Sequence, residues 1–137
     1  MVGIHGLGGI GKTTIAKAVY NRIVDHFEGS CLLENVRENS RTNDGIIQLQ
    51  ENLLSKILWD KHLKVDSLAE GFNMIQERLH SKRILLILDD MDKSKQIENL
   101  LGSCDWFVLG SRVIITTRDE HLVATLGKFV HLMRLRN

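Results

Sequence analysis

The sequence predicts an α/β fold in three layers, a mostly parallel sheet of about five strands flanked by helices. Three observations predict it. Short apolar stretches alternate with stretches of helical periodicity along the whole chain. The run Ile84-Leu85-Leu86-Ile87-Leu88 is unbroken rather than alternating, the pattern of a central parallel strand covered on both faces. A first apolar stretch, residues 2–5, passes directly into a glycine-rich loop and then into a helical pattern, a strand–loop–helix unit.

Taken in order, residues 2–5 read as a buried strand. From Lys12 to Phe27 the apolar residues Ile15, Ala16, Val19, Ile23 and Phe27 recur at helical spacing, and Gly29 is a plausible stop. Ser30 to Val36 reads as a second strand, and the polar stretch Arg37 to Asp44 as a loop. Gly45 to Trp59 places Ile46, Leu49, Leu53 and Ile57 on one helical face. Asp66 to His80 repeats the pattern with Leu68, Phe72, Ile75 and Leu79, and Asp66 or Ser67 can cap it. The strand Arg83 to Leu88 is followed by a short helix from Ser94 to Leu101. Arg112 to Thr117 is another buried strand, Asp119 to Leu126 a helix capped by Asp119 and ended by Gly127, and Phe129 to Met133 a weaker last strand. Strands alternating with helices in this way build parallel sheets with right-handed crossovers.

The chain has 137 residues, the size of one domain, with 43% hydrophobic and 26% charged residues, so it can bury a core and is not disordered. A formal net charge of +1 gives no case for a nucleic-acid or anionic-membrane partner. No segment reaches the ~18 consecutive apolar residues of a membrane span. No signal peptide is visible, which points to a cytoplasmic or nuclear setting. The two cysteines, Cys31 and Cys104, lack metal or redox spacing and read as reduced thiols in or near the core. The histidines likewise lack metal spacing, and Trp59 and Trp106 read as packing residues.

Three motifs carry chemistry. Gly6-Leu7-Gly8-Gly9-Ile10-Gly11-Lys12-Thr13 satisfies the phosphate-loop pattern Gly-x-x-x-x-Gly-Lys-[Ser/Thr] in full. Gly6, Gly8, Gly9 and Gly11 let the backbone turn tightly, and the N–H groups through Ile10, Gly11 and Thr14 can point at phosphate oxygens. Lys12 adds a point charge for the β- and γ-phosphates, and the Thr13 hydroxyl can ligand Mg²⁺. Second, Leu85 to Asp90 resembles a Walker B element. Asp89, at the carboxyl end of a buried strand, can hold Mg²⁺, and Asp90 can orient or deprotonate an attacking water. Third, Gly110 to Asp119 places Thr117 and Arg118 at the end of another buried strand, where Arg118 can reach a γ-phosphate and stabilise developing charge. Adenine selectivity is not written in any residue.

In this order, with Thr14 after the loop and Met91-Asp92 after the acids, the motifs resemble the NB-ARC domain of plant disease-resistance proteins. Phe27-Glu28-Gly29-Ser30-Cys31-Leu32-Leu33-Glu34-Asn35-Val36-Arg37-Glu38 is similar to the version in their TIR class, and Asp92 points the same way. The resemblance covers residues 2 to about 133. It implies a three-layer P-loop NTPase fold of the STAND type, binding ADP in an off state and ATP in an on state of an intracellular immune switch. It further implies a nucleotide-binding subdomain, residues 1–137, truncated before the family's distal helical subdomains. In a full receptor its partners would be a TIR domain, those subdomains, leucine-rich repeats and the neighbours of a homo-oligomer. TIR-linked NAD hydrolysis is not carried over to this chain. The residues leave three functions open: a nucleotide-binding regulatory module, a slow Mg²⁺-dependent ATPase, or an inert receptor fragment. A nucleotide kinase would need a substrate lid that no segment supplies.

Overall fold

The computed structural model describes residues 2–5, 17–18, 20–102, 111–119, 121–122 and 131–134, the first and last of these segments by backbone alone. Five strands form one sheet: β1 (Val2–His5), β2 (Gly29–Leu33), β3 (Ile84–Met91), β4 (Arg112–Thr117) and β5 (His131–Arg134). Their order is β2-β3-β4-β1-β5 and every pairing is parallel. The carboxyl ends of β1, β3 and β4 therefore share one edge of the sheet. His5 stands in register with Thr117, so the chain enters the glycine-rich loop level with the end of β4. The loop itself, Gly6 to Thr14, lies outside the described residues, as do Cys104, Trp106 and Gly127.

The helices are α1 (Val36–Asn39), α2 (Asn43–Leu58), α3 (Leu68–Leu79) and α4 (Lys95–Leu101). Residues 17–18 and 20–23 are also helical and run into a 3-10 turn at Val24–His26. Two packing clusters separate the faces of the sheet. Leu86, Leu88, Val113 and Ile115 pack with α2, α3 and α4, while Leu85, Ile87 and Ile114 pack with Tyr20, Ile23 and Phe27. This split follows from the strand period of two: odd and even residues of one strand serve opposite layers. All of Ile84 to Leu88 are 0% exposed, as the unbroken run requires. Each such side chain contributes about 1.5–3 kcal/mol relative to leaving it in water.

The starts of α2 and α3 are set by side chains. Thr42 Oγ1 accepts from the Gly45 N–H at 3.0 Å, and Ser67 Oγ accepts from the Glu70 N–H at 3.1 Å. Each such cap contributes about 1 kcal/mol by satisfying a donor the helix cannot. Gln50, fully buried, donates through Nε2 to the Leu68 carbonyl (3.3 Å) and the Leu100 carbonyl (3.2 Å), so one amide joins α2, α3 and α4. Gly71 is needed beside it, because a Cβ there would run into that amide.

Three expectations need correction. The stretch read as a loop from Arg37 contains α1, and the second strand ends at Leu33, not Val36. The turn between them is made by Asn35 in the left-handed region (φ 56°), which a short polar side chain tolerates. Trp59 is no packing residue: it is 87% exposed. It terminates α2 in the left-handed region (φ 56°), which swings its side chain off the apolar face of the helix.

Candidate functional site

The polar groups of the sheet are concentrated at the carboxyl end of β3. Leu85 and Ile87 face the layer that holds residues 20–23, and Asp89 continues that alternation. Asp89 is 5% exposed. A buried carboxylate requires hydrogen-bond partners. One is the hydroxyl of Thr116 on β4, which donates to Asp89 Oδ1.

Immediately afterwards the β3–β4 register shifts: Leu88 pairs with Ile115, but Met91 pairs with Thr117. Two residues of β3, Asp89 and Asp90, thus stand against Thr116 alone, a β-bulge. Asp90 takes the left-handed conformation there (φ 64°), uncommon for a residue with a side chain. Its N–H donates to Thr116 Oγ1 at 2.8 Å. One hydroxyl therefore serves the carboxylate of Asp89 and the backbone of Asp90 together. Thr117, fully buried, donates to the Met91 carbonyl at 2.6 Å and accepts from the Asp119 N–H at 3.1 Å.

The bulge sends the two acids in different directions. Asp90, about a quarter exposed, pairs through Oδ2 with Arg37 Nη2 of α1 at 3.4 Å. Arg37 Nε is buried without a partner among the described residues. Arg118 follows β4 and is exposed, at the same edge of the sheet as Asp89. Asp119 Oδ1 accepts from the His121 N–H at 2.8 Å, the capping contact expected of it.

Among the sequence-predicted site residues, then, Asp89 and Asp90 lie among the last residues of β3 and Arg118 directly follows β4, all toward the carboxyl side of the sheet, with no hydrogen bond or ion pair between Arg118 and either acid among the described residues. Gly6, Gly8, Gly9, Ile10, Gly11, Lys12, Thr13 and Thr14 lie outside the described residues. Sequence reasoning missed the roles of Thr116 and Arg37. The paired threonines at a buried strand end were a usable signal for the first, since a buried hydroxyl needs a partner. Nothing in the sequence signalled that Arg37 would meet a residue so distant along the chain.

The arrangement suits a hard cation and its anionic ligand. It places an oxygen donor, held by a neutral hydroxyl, at the sheet edge where the glycine-rich loop begins. Among the described residues no cluster of three or more histidines, cysteines or acids forms a self-contained metal site. Cys31 is buried on β2, and desolvation pushes its thiol up to about 12, with Lys56 pulling the other way. It is a core residue rather than a nucleophile.

The family model described as NB-ARC domain matches residues 1–136. Among similar proteins, "Disease resistance-like protein DSC1" of Arabidopsis thaliana is 44% identical over 126 residues, which cover 92% of this chain and 10% of that protein. "Disease resistance protein RUN1" of Vitis rotundifolia is 47% identical, covering 90% of this chain and 9% of its own length. "TMV resistance protein N" of Nicotiana glutinosa is 42% identical, covering 90% of this chain and 11% of its own. The chain thus spans about a tenth of the length of the relatives it matches. With residues 1–136 matched by the family model and an α/β parallel sheet beneath them, this chain belongs to the NB-ARC domain family of plant disease-resistance proteins.

Proposed function

We propose that the chain binds ADP and ATP, with Mg²⁺, as the nucleotide-binding module of an intracellular plant immune receptor. The observation that carries this reading is Asp89: a buried carboxylate, oriented by Thr116, at the sheet edge from which the phosphate-loop sequence departs. Asp89 and Thr13 would hold Mg²⁺, which typically takes one or two carboxylates and completes its shell with phosphate oxygens and water. The loop from Gly6 to Thr14 would bind the phosphates, with Lys12 as the point charge. When bound, the cation neutralises phosphate charge. The chain's own groups orient and position: Thr116 fixes Asp89, and Arg118 supplies an exposed cation toward the terminal phosphate.

A receptor setting is the natural extension, with TIR, distal NB-ARC and leucine-rich-repeat domains of one chain as partners and like neighbours in an oligomer. Such a switch needs ADP and ATP to favour different domain arrangements. No described helix is long and apolar enough to cross a membrane. A cytoplasmic or nuclear location belongs to the same proposal.

The test is titration of labelled ADP and ATP against the parent chain and Lys12→Ala. Binding that weakens by at least ~10-fold in the variant is expected, from the loss of a charge-assisted phosphate contact. Equal binding by both proteins would overturn the reading.

A second reading, slow ATP hydrolysis, is favoured by Asp90, which the bulge turns away from Asp89 and toward solvent beside Arg37. Asp90 would then orient or deprotonate water while Arg118 meets developing charge. Mg²⁺-dependent phosphate release that falls in Asp90→Ala supports it, and release no faster than in buffer excludes it.

A further inference from the structure

β2 terminates the sheet. It pairs with β3 on one side and, among the described residues, with no strand on the opposite side. Strands spend alternate backbone groups on each neighbour, so alternate N–H and C=O groups of Gly29–Leu33 face away from β3. Exposed edges are commonly guarded by proline, lysine or a bulge. Gly29-Ser30-Cys31-Leu32-Leu33 contains no proline and no lysine, and its register with β3 is continuous.

Beyond this edge lies a groove of about 730 Å³, walled by Cys31 to Glu34 on one side and by α2 on the other. Gln48, Asn52, Lys56 and Trp59 form one stripe of that helix and its C-cap, at helical spacing. The two amides can bond to a foreign backbone. Trp59 is the large apolar side chain left in water among the described residues, 87% exposed. Its backbone is held at φ 56° by an N–H donated to the Ser55 carbonyl. A bulky residue at positive φ is an outlier, and such outliers concentrate at functional surfaces.

The charge of the groove is uneven. Lys56 and Lys61 line it, and neither has an ion-pair partner among the described residues. The lining acid, Glu34, is already held by Lys17 at 3.0 Å. The charge left uncompensated is positive, and it calls for an acidic ligand.

We propose that this groove is a docking site for an extended acidic peptide of a partner protein, added to the sheet as a strand outside β2. Main-chain bonds to the β2 edge supply affinity, and the side-chain sites supply specificity. Carboxylates of the peptide meet Lys56 and Lys61, and an apolar side chain covers the indole of Trp59. A second copy of this chain fits poorly. Antiparallel β2–β2 pairing centred on Cys31 sets Glu34 opposite Glu28, and like charges directly opposite destabilise a pair of strands.

The proposal is independent of nucleotide and is tested without it, on the full chain. A fluorescein-labelled peptide alternating valine with glutamate, blocked at both ends, is compared by anisotropy with its lysine-for-glutamate counterpart. The acidic peptide is expected to bind saturably, at least ~10-fold tighter than the basic one, and to weaken as salt screens the lysines. Lys56→Glu/Lys61→Glu and Trp59→Ala should each weaken binding by about 10-fold, the size expected for losing a steering charge or an aromatic anchor. These side chains are exposed, and melting curves matching the parent establish that the variants fold. The two-peptide comparison on the parent chain needs no variant. Equal binding of both peptides, no binding of either, or unaltered binding by the folded variants overturns the proposal. A dimer in sedimentation at the same protein concentrations overturns it as well, by giving the edge to a second copy.

Discussion

β3 and β2 lie side by side and run in the same direction, yet they meet different demands. β3 has neighbours on both edges and side chains packed on both faces, so Ile84 to Leu88 contain no polar side chain at all. Its polar chemistry is deferred to its last residues, where Asp89 and Asp90 emerge at the bulge against Thr116. β2 has one neighbour among the described strands and alternates: Cys31 and Leu33 are buried, Ser30 and Leu32 half-buried. A central strand can carry function only at its end, whereas an edge strand can carry it along its length. In this molecule the two candidate surfaces follow that division. The acids Asp89 and Asp90 sit at the tip of β3, and the proposed peptide groove runs beside β2.

Truncation should expose the difference most strongly. Leu86→Ala on β3 is expected to cost about 2–5 kcal/mol in urea unfolding, from lost transfer energy and the cavity left behind. Leu32→Ala on β2 should cost roughly 1 kcal/mol, since its side chain is only partly removed from water. Equal costs would erase the distinction between the strands. Next in size is Thr116→Val, expected to cost about 1–3 kcal/mol because it removes one partner of a buried carboxylate and the acceptor of the Asp90 N–H together. Thr116→Ser should recover most of that loss.

The inward face of β2 can be compared with β3 by titration. Burial raises the Cys31 thiol from 9.0 to about 12. The folded chain therefore keeps this proton where the unfolded chain releases it. The resulting stability is complete below pH 9 and is lost as pH rises toward 12. The free energy of unfolding measured across that window should decline more steeply for the parent than for Cys31→Ala. The smallest effect belongs to Asp90→Asn, which keeps a side chain tolerant of positive φ and loses only a partly exposed ion pair. A change of about 0–1 kcal/mol is expected there. A larger loss would mean that the Arg37 contact anchors the bulge rather than decorating it.

Much of this was legible beforehand because it rests on local periodicity. The continuous run at β3, the apolar stripes of α2 and α3 and the Ser67 cap all follow from residues a few positions apart. The end of β3 was legible as a place where acids emerge, but the bulge was not. A register shift depends on what β4 offers, and Thr116 is 26 positions from Asp90 in the chain. Arg37 was hidden for the same reason, at a separation of 53. Trp59 was misread because a tryptophan after an amphipathic helix ordinarily packs. Its left-handed backbone, the feature that turns it outward, is not encoded by any glycine or asparagine at that position.

The Gln50 amide has a consequence for how the chain comes to be built. Its two acceptors, on Leu68 and Leu100, lie 18 and 50 residues further on. While the polypeptide is still emerging from the ribosome, α2 and α3 can form and meet, but one hydrogen bond of the buried amide waits for residue 100. Without α4, the buried amide keeps only one of the two hydrogen bonds that its Nε2 donates in the complete fold. The helical layer is therefore cross-linked by a bond that no chain ending before Leu100 can make.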